Sequence, residues 1–407
     1  MHVEGVSMQS IFFIAALWLG LAVVAAIIAY HLKISIALVE ICIGIGAGAI
    51  ANRYFGQGSL GSNQEWLQFL ASAGAILLTF LAGAELDPSV MKRKMKEVSI
   101  VGVVGFTAPF IGATAVAYFV FNWSFSASML AGIALSTTSV AVVYAVMVET
   151  GLNKTEFGKG VLGACFINDI ATVLALGLIF SPFSYKTIIF VLVSAVSIFL
   201  MPSITKFITR VYGNRTAAIR TKWIIAALLS LGALAYWSGS EAVLPAYIVG
   251  IVLAEFASVE EQWIRRLRTL TTGFLTPFYF IRAGSFVSLP SLIAAPGIFI
   301  LLILSKIGSK IFGLYPVISR FRKTPTERWY YTLMMSTGLT FGTISAMFGL
   351  SHGIVNEGQY SALVATVIAS ALIPTFVASK WFNPMEKLAP KHAHRVPRIP
   401  EGELSDE

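Results

Sequence analysis

Apolar residues run through this chain in long blocks separated by short polar interruptions. Each block long enough to cross about 30 Å of hydrocarbon needs roughly 20 helical residues. Such blocks fall near 11–30, 34–51, 67–84, 98–121, 126–148, 160–181, 187–206, 223–239, 242–257, 269–286, 292–316, 329–349 and 360–380. The pattern predicts thirteen membrane-spanning helices. The first block is not a secretory signal, because no basic segment precedes it and a dozen further spans follow.

Composition supports the same reading. Of the 407 residues 57% are apolar and 12% are charged, about half the charged fraction usual in a soluble domain, so a soluble protein is excluded. The formal charge of +9 is explained by where the basic residues fall. With the N-terminus outside, 24 of the 29 Lys and Arg lie in cytoplasmic segments, Arg53 and Lys186 lie outside, and Arg282, Lys306 and Lys310 lie within spans. That split follows the positive-inside rule and requires the C-terminus inside. The basic residues are spread over seven cytoplasmic segments without one basic face, so no nucleic-acid partner is expected. Cys42 and Cys165, the two cysteines, lie in apolar runs and read as small core residues, which leaves neither a disulfide framework nor a thiolate metal site. The stretch from about Asn383 to Glu407 reads as a disordered cytoplasmic tail, with no regulatory nucleotide-binding module expected. No cofactor is expected.

Function depends on what is polar at membrane depth. Nearly all acidic residues fall in loops, tails or span ends, including Glu85, Asp87, Glu149 and Glu255, and Glu40 lies some six residues into the second span. Asp169 alone sits near a span centre. An unpaired charge there costs between about 3 and 10 kcal/mol, so it marks function unless it is a structural hydrogen bond. A carboxylate in a half-dry cavity holds a proton or a small cation but not both together, which is exchange chemistry. Lys306 and Lys310 share a face of the eleventh span at i and i+4; an ammonium group at depth needs a carboxylate, of which Asp169 is the obvious one, backbone carbonyls or a water-filled cavity, unless Lys310 extends to the interface. Arg282, towards the external end of the tenth span, reads equally as a gate charge or an interfacial anchor.

Two hydroxyl-rich runs interrupt spans. Ser136-Thr137-Thr138-Ser139 lies in the fifth, and Ser336-Thr337-Gly338-Leu339-Thr340 in the twelfth. Side chains there compete for backbone groups and Gly removes rigidity, so both spans can break, and the freed carbonyls and hydroxyls are hard ligands for alkali cations. Ser, Thr and Gly are also ordinary packing residues between membrane helices, but the two runs stand 200 residues apart, in the fifth span of the first six and of the last six. An odd span between two six-span units inverts one unit relative to the other. The plan is that of a secondary transporter with paired interrupted helices at mid-membrane.

Leu77 to Asp87, Thr137-Thr138-Ser139-Val140, Asn168-Asp169, Ser309-Lys310-Ile311-Phe312-Gly313, Ser336 to Thr343 and Ile373-Pro374-Thr375, in that order and spacing, resemble the cation:proton antiporters of the sodium/proton antiporter fold, in the branch that includes the Kef-type potassium exporters. The resemblance implies that the fifth and twelfth helices cross near the middle and that Asp169 is the ion and proton site. It further implies that Thr138 and Ser139, with Thr137, supply coordinating oxygens and that Lys310, with Lys306, compensates charge. Where electrogenic members carry two adjacent aspartates this chain has Asn168, so one-for-one electroneutral exchange is expected unless Lys310 itself titrates, with Asn168 tethering the broken helices.

The expectation is therefore an all-α polytopic protein of the inner membrane: thirteen spans, two inverted six-helix repeats, N-terminus outside and C-terminus inside. Residues 1–97 and 223–290 would form a dimer-making scaffold, 98–181 and 291–382 a moving core, 182–222 a linking span and 383–407 the tail. It would exchange sodium or lithium, with potassium the alternative, for protons, and work as a homodimer by an elevator-like motion. A membrane enzyme lacks a second catalytic group at depth, since the five His fall at positions 2, 31, 352, 392 and 394. A cation channel would need no counter-ion.

Overall fold

The computed structural model describes residues 8–32, 36–56, 58–84, 88–150, 152, 155–180, 184–213, 218–240, 242–259 and 261–384. Among the described residues every regular element is helical, as backbone groups removed from water require when they must satisfy one another within a segment. The long helices are α1 (Met8–Leu32), α2 (Ile36–Tyr54), α3 (Glu65–Ala84) and α4 (Pro88–Ala115), which continues into a π turn at Val116–Val120. The fifth predicted span is two short helices, α5 (Phe125–Ser136) and α6 (Val140–Glu149). Then come α7 (Glu156–Phe180), α8 (Tyr185–Tyr212), α9 (Ile219–Ser238) and α10 (Val243–Val259). The tenth predicted span is the end of a compound helix: α11 (Glu261–Leu270), a π turn at Thr271–Leu275 and α12 (Thr276–Ser285). The chain closes with α13 (Leu289–Ala294), α14 (Pro296–Ile318), the split pair α15 (Pro325–Met335) and α16 (Thr340–Ser351), and α17 (Glu357–Trp381).

Ten of these elements, with α15 and α16 counted as one, are long and apolar enough to cross a membrane. The fifth predicted span falls outside that set because it is broken, and the ninth and tenth because α10 and α12 are short. Helix starts follow local chemistry. Ser124, Thr324 and Asn356 each accept a hydrogen bond from a backbone N–H three residues on, and Asn356 with Gln359 closes a reciprocal cap. Glu85, Asp87, Lys33, Lys154 and the tail from residue 385 lie outside the described residues.

The helices share one large apolar interior, in which buried residues of α2, α3, α10 and α12 join those of α5, α7, α16 and α17. α2 lies on α12 and α3 on α10, while α4 contacts α5, α7 and α14, and α5 crosses α16. Glycine permits the first two contacts: a Cβ on Gly48 would stand 2.8 Å from the Ser285 carbonyl oxygen, and one on Gly284 would stand 2.9 Å from Ile45 N. The same device recurs where Gly83 of α3 meets Gly250 of α10, whose missing Cβ would approach Ala84 N to 2.9 Å. Small residues let membrane helices approach backbone to backbone where apolar burial supplies no preference over lipid. By contrast α1 and α8 leave most of their apolar surface uncovered, with Phe12, Phe13, Phe199 and Leu192 among the exposed side chains.

Near the chain's cytoplasmic segments, as the charge pattern assigns them, Arg322 pairs with Glu97 of α4 and lies over the Phe157 ring of α7 at 5.1 Å. Tyr331 of α15 donates to the Gly160 carbonyl at 3.2 Å. These contacts join α4, α7 and α15 at one end.

Candidate functional site

α5 ends where Thr137 turns to an extended conformation (φ −61°, ψ 154°), and α16 begins after Leu339 at φ −154°, ψ −76°. The hydroxyls of the two runs stabilise those ends from within. Ser136 donates to Ile133 O at 2.8 Å and Thr137 to Ala134 O at 3.1 Å; Ser336 donates to Thr332 O at 2.7 Å and Thr337 to Met334 O at 2.8 Å. Carbonyls left over at a helix end are thereby capped by side chains, and the hydroxyl oxygens keep their lone pairs free to accept. Ser139 starts α6 by accepting from Val142 N at 3.3 Å.

The two breaks are joined directly. Thr138 Oγ1 donates to the Met335 carbonyl at 2.9 Å, and the Ser139 N–H donates to Thr337 Oγ1 at 3.4 Å. Close passage of the chains requires Gly342, where a Cβ would lie 2.9 Å from Ala134 O and 3.0 Å from Thr137 Oγ1. Thr340, one residue into α16, is only partly buried and stands aside from these contacts.

α7 passes beside this crossing and carries Asn168, wholly buried, and Asp169, 2% exposed. Asn168 Nδ2 donates to the Ser136 carbonyl at 3.3 Å, the last helical residue of α5, while its Oδ1 has no partner. Asp169 Oδ1 is also without a hydrogen-bond partner. Among the described residues no hydrogen bond or ion pair joins Asp169 to Thr138, Ser139, Lys306 or Lys310.

Both lysines are fully buried on one face of α14. Lys310 does not extend to an interface: its Nζ donates to Thr138 Oγ1 at 3.0 Å. Lys306 Nζ donates to the Thr137 carbonyl at 3.4 Å and fills the space beside Gly338, where a Cβ would fall on that nitrogen. Asp169 and Lys310 are close enough to interact through their charges without a hydrogen bond between them, while Lys306 meets a backbone carbonyl. The ammonium groups sit at the C-terminal end of α5, where the helix dipole favours cations, and α6 and α16 bring their N-terminal ends to the same crossing. The result is a buried cluster with one carboxylate whose Oδ1 has no hydrogen bond, two lysine Nζ groups, several hydroxyls and freed carbonyls. Such a set can bind a proton or a small hard cation and bias which of them stays.

A model of the transmembrane sodium/hydrogen exchanger family matches residues 19–383. The chain belongs to that family. This exchanger-family chain is 23% identical over 332 residues, 78% of its own length and 84% of the other's, to a protein of Methanocaldococcus jannaschii named probable Na(+)/H(+) antiporter 3. It is 27% identical over 334 residues, 76% of its length and 83% of the other's, to the Na(+)/H(+) antiporter of Enterococcus hirae. Cation/H(+) antiporter 17 of Arabidopsis thaliana is 24% identical over 351 residues, and that match spans only 42% of the plant protein. In fold, the exchanger-family chain resembles the sodium proton antiporter MjNhaP1 from Methanocaldococcus jannaschii at pH 8, with a TM-score of 0.67 and 16% identity over 94% of this chain and 99% of that one.

Sequence reading missed three features of this exchanger. Glu40 of α2, placed some six residues into the second span and given no role, is 2% exposed. Cys42 is exposed rather than a core residue. Tyr247 of α10, unremarked in an apolar run, donates to the Phe166 carbonyl of α7 at 3.4 Å and lies edge-on to Phe341 of α16 at 5.8 Å. Arg282, which the sequence left open, donates from Nε to the Ser62 carbonyl at 2.8 Å and lies over Phe286 at 4.9 Å; that fastens it to the segment between α2 and α3.

Proposed function

We propose that this protein is a secondary antiporter that exchanges sodium, or lithium, for protons one for one across the inner membrane. The observation that carries the proposal is Asp169, buried to 2% exposure with an unpaired Oδ1, beside the crossing of two interrupted helices. A carboxylate kept dry and unpaired costs stability, and it persists where the empty state is one step of a cycle. Sodium and a proton then compete for the same oxygens. Thr137, Thr138 and Ser139 line the approach and supply hydroxyl and carbonyl ligands, and Lys310 and Lys306 balance the charge of the crossing. Asn168, bonded to Ser136 O, acts as tether. One titrating carboxylate at the pair Asn168-Asp169 makes the exchange electroneutral.

The remaining parts of the reading rest on packing. Thirteen crossings in two inverted repeats agree with contacts that interchange when the halves are swapped: α2 on α12 corresponds to α10 on α3, each with a glycine-to-glycine approach. The charge pattern places the N-terminus outside and the C-terminus inside. A core of α4 to α7 and α14 to α17 would move against a scaffold of α1 to α3 and α9 to α12, with α8 as the linking span. Among the described residues the polar bonds that cross between these groups include Tyr247 to Phe166 O, Tyr360 to Ala283 O at 2.6 Å, Ser288 N to Ser361 Oγ at 2.7 Å and Arg282 Nη1 to Met347 Sδ at 3.9 Å. A homodimer would form through the scaffold, where α1 presents an uncovered apolar face.

The test is purified protein in proteoliposomes with a pH-sensitive dye and a panel of sodium, lithium, potassium and rubidium. Sodium and lithium should drive proton movement, and Asp169→Asn should be silent. A response to potassium without one to sodium would assign potassium/proton exchange, and unchanged exchange in Asp169→Asn would remove the mechanism.

A further inference from the structure

One titratable group beside the exchange site has no part in the proposed cycle. Cys165 lies one helical turn before Asp169 on α7, so the two share a face, and its side chain is fully buried. Its Sγ stands 3.6 Å from the Sδ of Met335, the last residue of α15 before the second break. A thiol and a thioether from different helices thus meet within the crossing. Around them are two oxygens without partners, Asp169 Oδ1 and Asn168 Oδ1. Gly105 of α4 leaves room beside both side chains: a Cβ there would stand 3.1 Å from Met335 Cε and 3.4 Å from Asn168 Nδ2.

We infer that Cys165 and Met335 form a binding site for soft monovalent cations, silver(I) or copper(I), with Asp169 or Asn168 as a third ligand. Soft sulfur donors select such ions over the hard alkali cations that hydroxyl and carbonyl oxygens hold. With metal–sulfur bonds of ~2.3 Å, as for zinc thiolates, two sulfurs at a trigonal centre stand about 4 Å apart. The observed spacing needs only a small rotation of the Met335 side chain, and methionine adapts readily. Binding breaks the Cys165 S–H bond and forms an S–Ag or S–Cu bond. The proton leaves along the path that protons take to Asp169, no electron is transferred, and the net charge of the buried cluster is unchanged. A hard site that must stay dry is thereby accompanied by a soft site that a toxic cation reaches by the same route. An ion held there would pin α7 to α15 and stop exchange.

Silver nitrate in chloride-free buffer is the probe, used with purified full-length protein carrying Cys42→Ser, since Cys42 is exposed and would bind silver independently. Equilibrium dialysis should find one tightly held silver ion per chain. Cys165→Ala should weaken it by about a hundredfold and Met335→Leu, which conserves volume, by at least about tenfold. Sodium nitrate should weaken silver binding in the parent protein and leave it unchanged in Asp169→Asn. An affinity that Met335→Leu leaves unchanged would reduce the feature to a buried thiol and overturn the site, as would silver binding that survives Cys165→Ala. These measurements need no transport. A chain that binds silver as described but exchanges no alkali cation would overturn the antiport reading alone, and one that exchanges cations without this silver site would overturn the present inference alone.

Discussion

Asp169→Asn should separate stability from function in a way that a structural aspartate would not. The native side chain is 2% exposed and its Oδ1 has no partner. An unsatisfied buried polar group costs about 1–3 kcal/mol, and a charge at mid-membrane costs about 3 kcal/mol or more. The amide keeps the volume and removes the charge, but it brings an N–H pair that needs partners. In alkaline buffer without alkali cation the variant should therefore be more stable than the parent by about 1–3 kcal/mol. Sodium reverses the order: at a hundred times its Kd it stabilises the parent by about 2.7 kcal/mol and the variant not at all. Thermal unfolding in detergent, followed by tryptophan fluorescence in choline chloride and then in sodium chloride of equal ionic strength, reads both effects. Lowering the pH should erase the sodium effect in the parent, because protons occupy the same carboxylate. A variant less stable than the parent in choline, and equally responsive to sodium, would make Asp169 a structural hydrogen-bonding residue.

Asn168→Asp adds a second carboxylate and should make exchange respond to an imposed membrane potential in proteoliposomes, where the parent does not; voltage-dependent exchange in the parent would refute the one-for-one stoichiometry. Thr138→Val removes the hydroxyl that accepts from Lys310 and donates to Met335 O, and should lower stability by about 2–3 kcal/mol and exchange with it, while Thr138→Ser restores both. Gly284→Ala drives a methyl group against Ile45 N and Gly44 Cα at 2.9 and 3.0 Å and should destabilise by about 3 kcal/mol, whereas Gly46→Ala in α2, with nothing within 4 Å, should be neutral or slightly stabilising. Equal melting temperatures for those two variants would contradict the backbone-to-backbone contact of α2 and α12.

Much of this architecture was legible because the bilayer reduces the choices. Apolar length announces helices, the distribution of Lys and Arg implies an orientation, and a carboxylate in mid-span is too costly to be incidental. Asp169 and the hydroxyl runs at 136–139 and 336–340 stood out on those grounds, and the structure places both runs at helix breaks. Partners were not legible. Lys310 feels the charge of Asp169 but donates its hydrogen bond to Thr138, a hydroxyl delivered by another helix that no local pattern announces. Glu40, six residues into its span, was passed over for the deeper Asp169, and Tyr247, in an apolar run, acquires its setting from helices far away in sequence.

What the sequence by itself determined is the set of apolar helices and the residues too polar to be buried without cause. Those depend on the transfer of single segments from water to hydrocarbon, a property local to each segment. Which side chains meet was decided only in three dimensions. Cys165 reaches Met335 across 170 residues and Thr138 reaches the Met335 carbonyl across 197, through glycine contacts that fix how closely the helices approach. Interhelical geometry is a sum over many distant contacts, and no segment contains it.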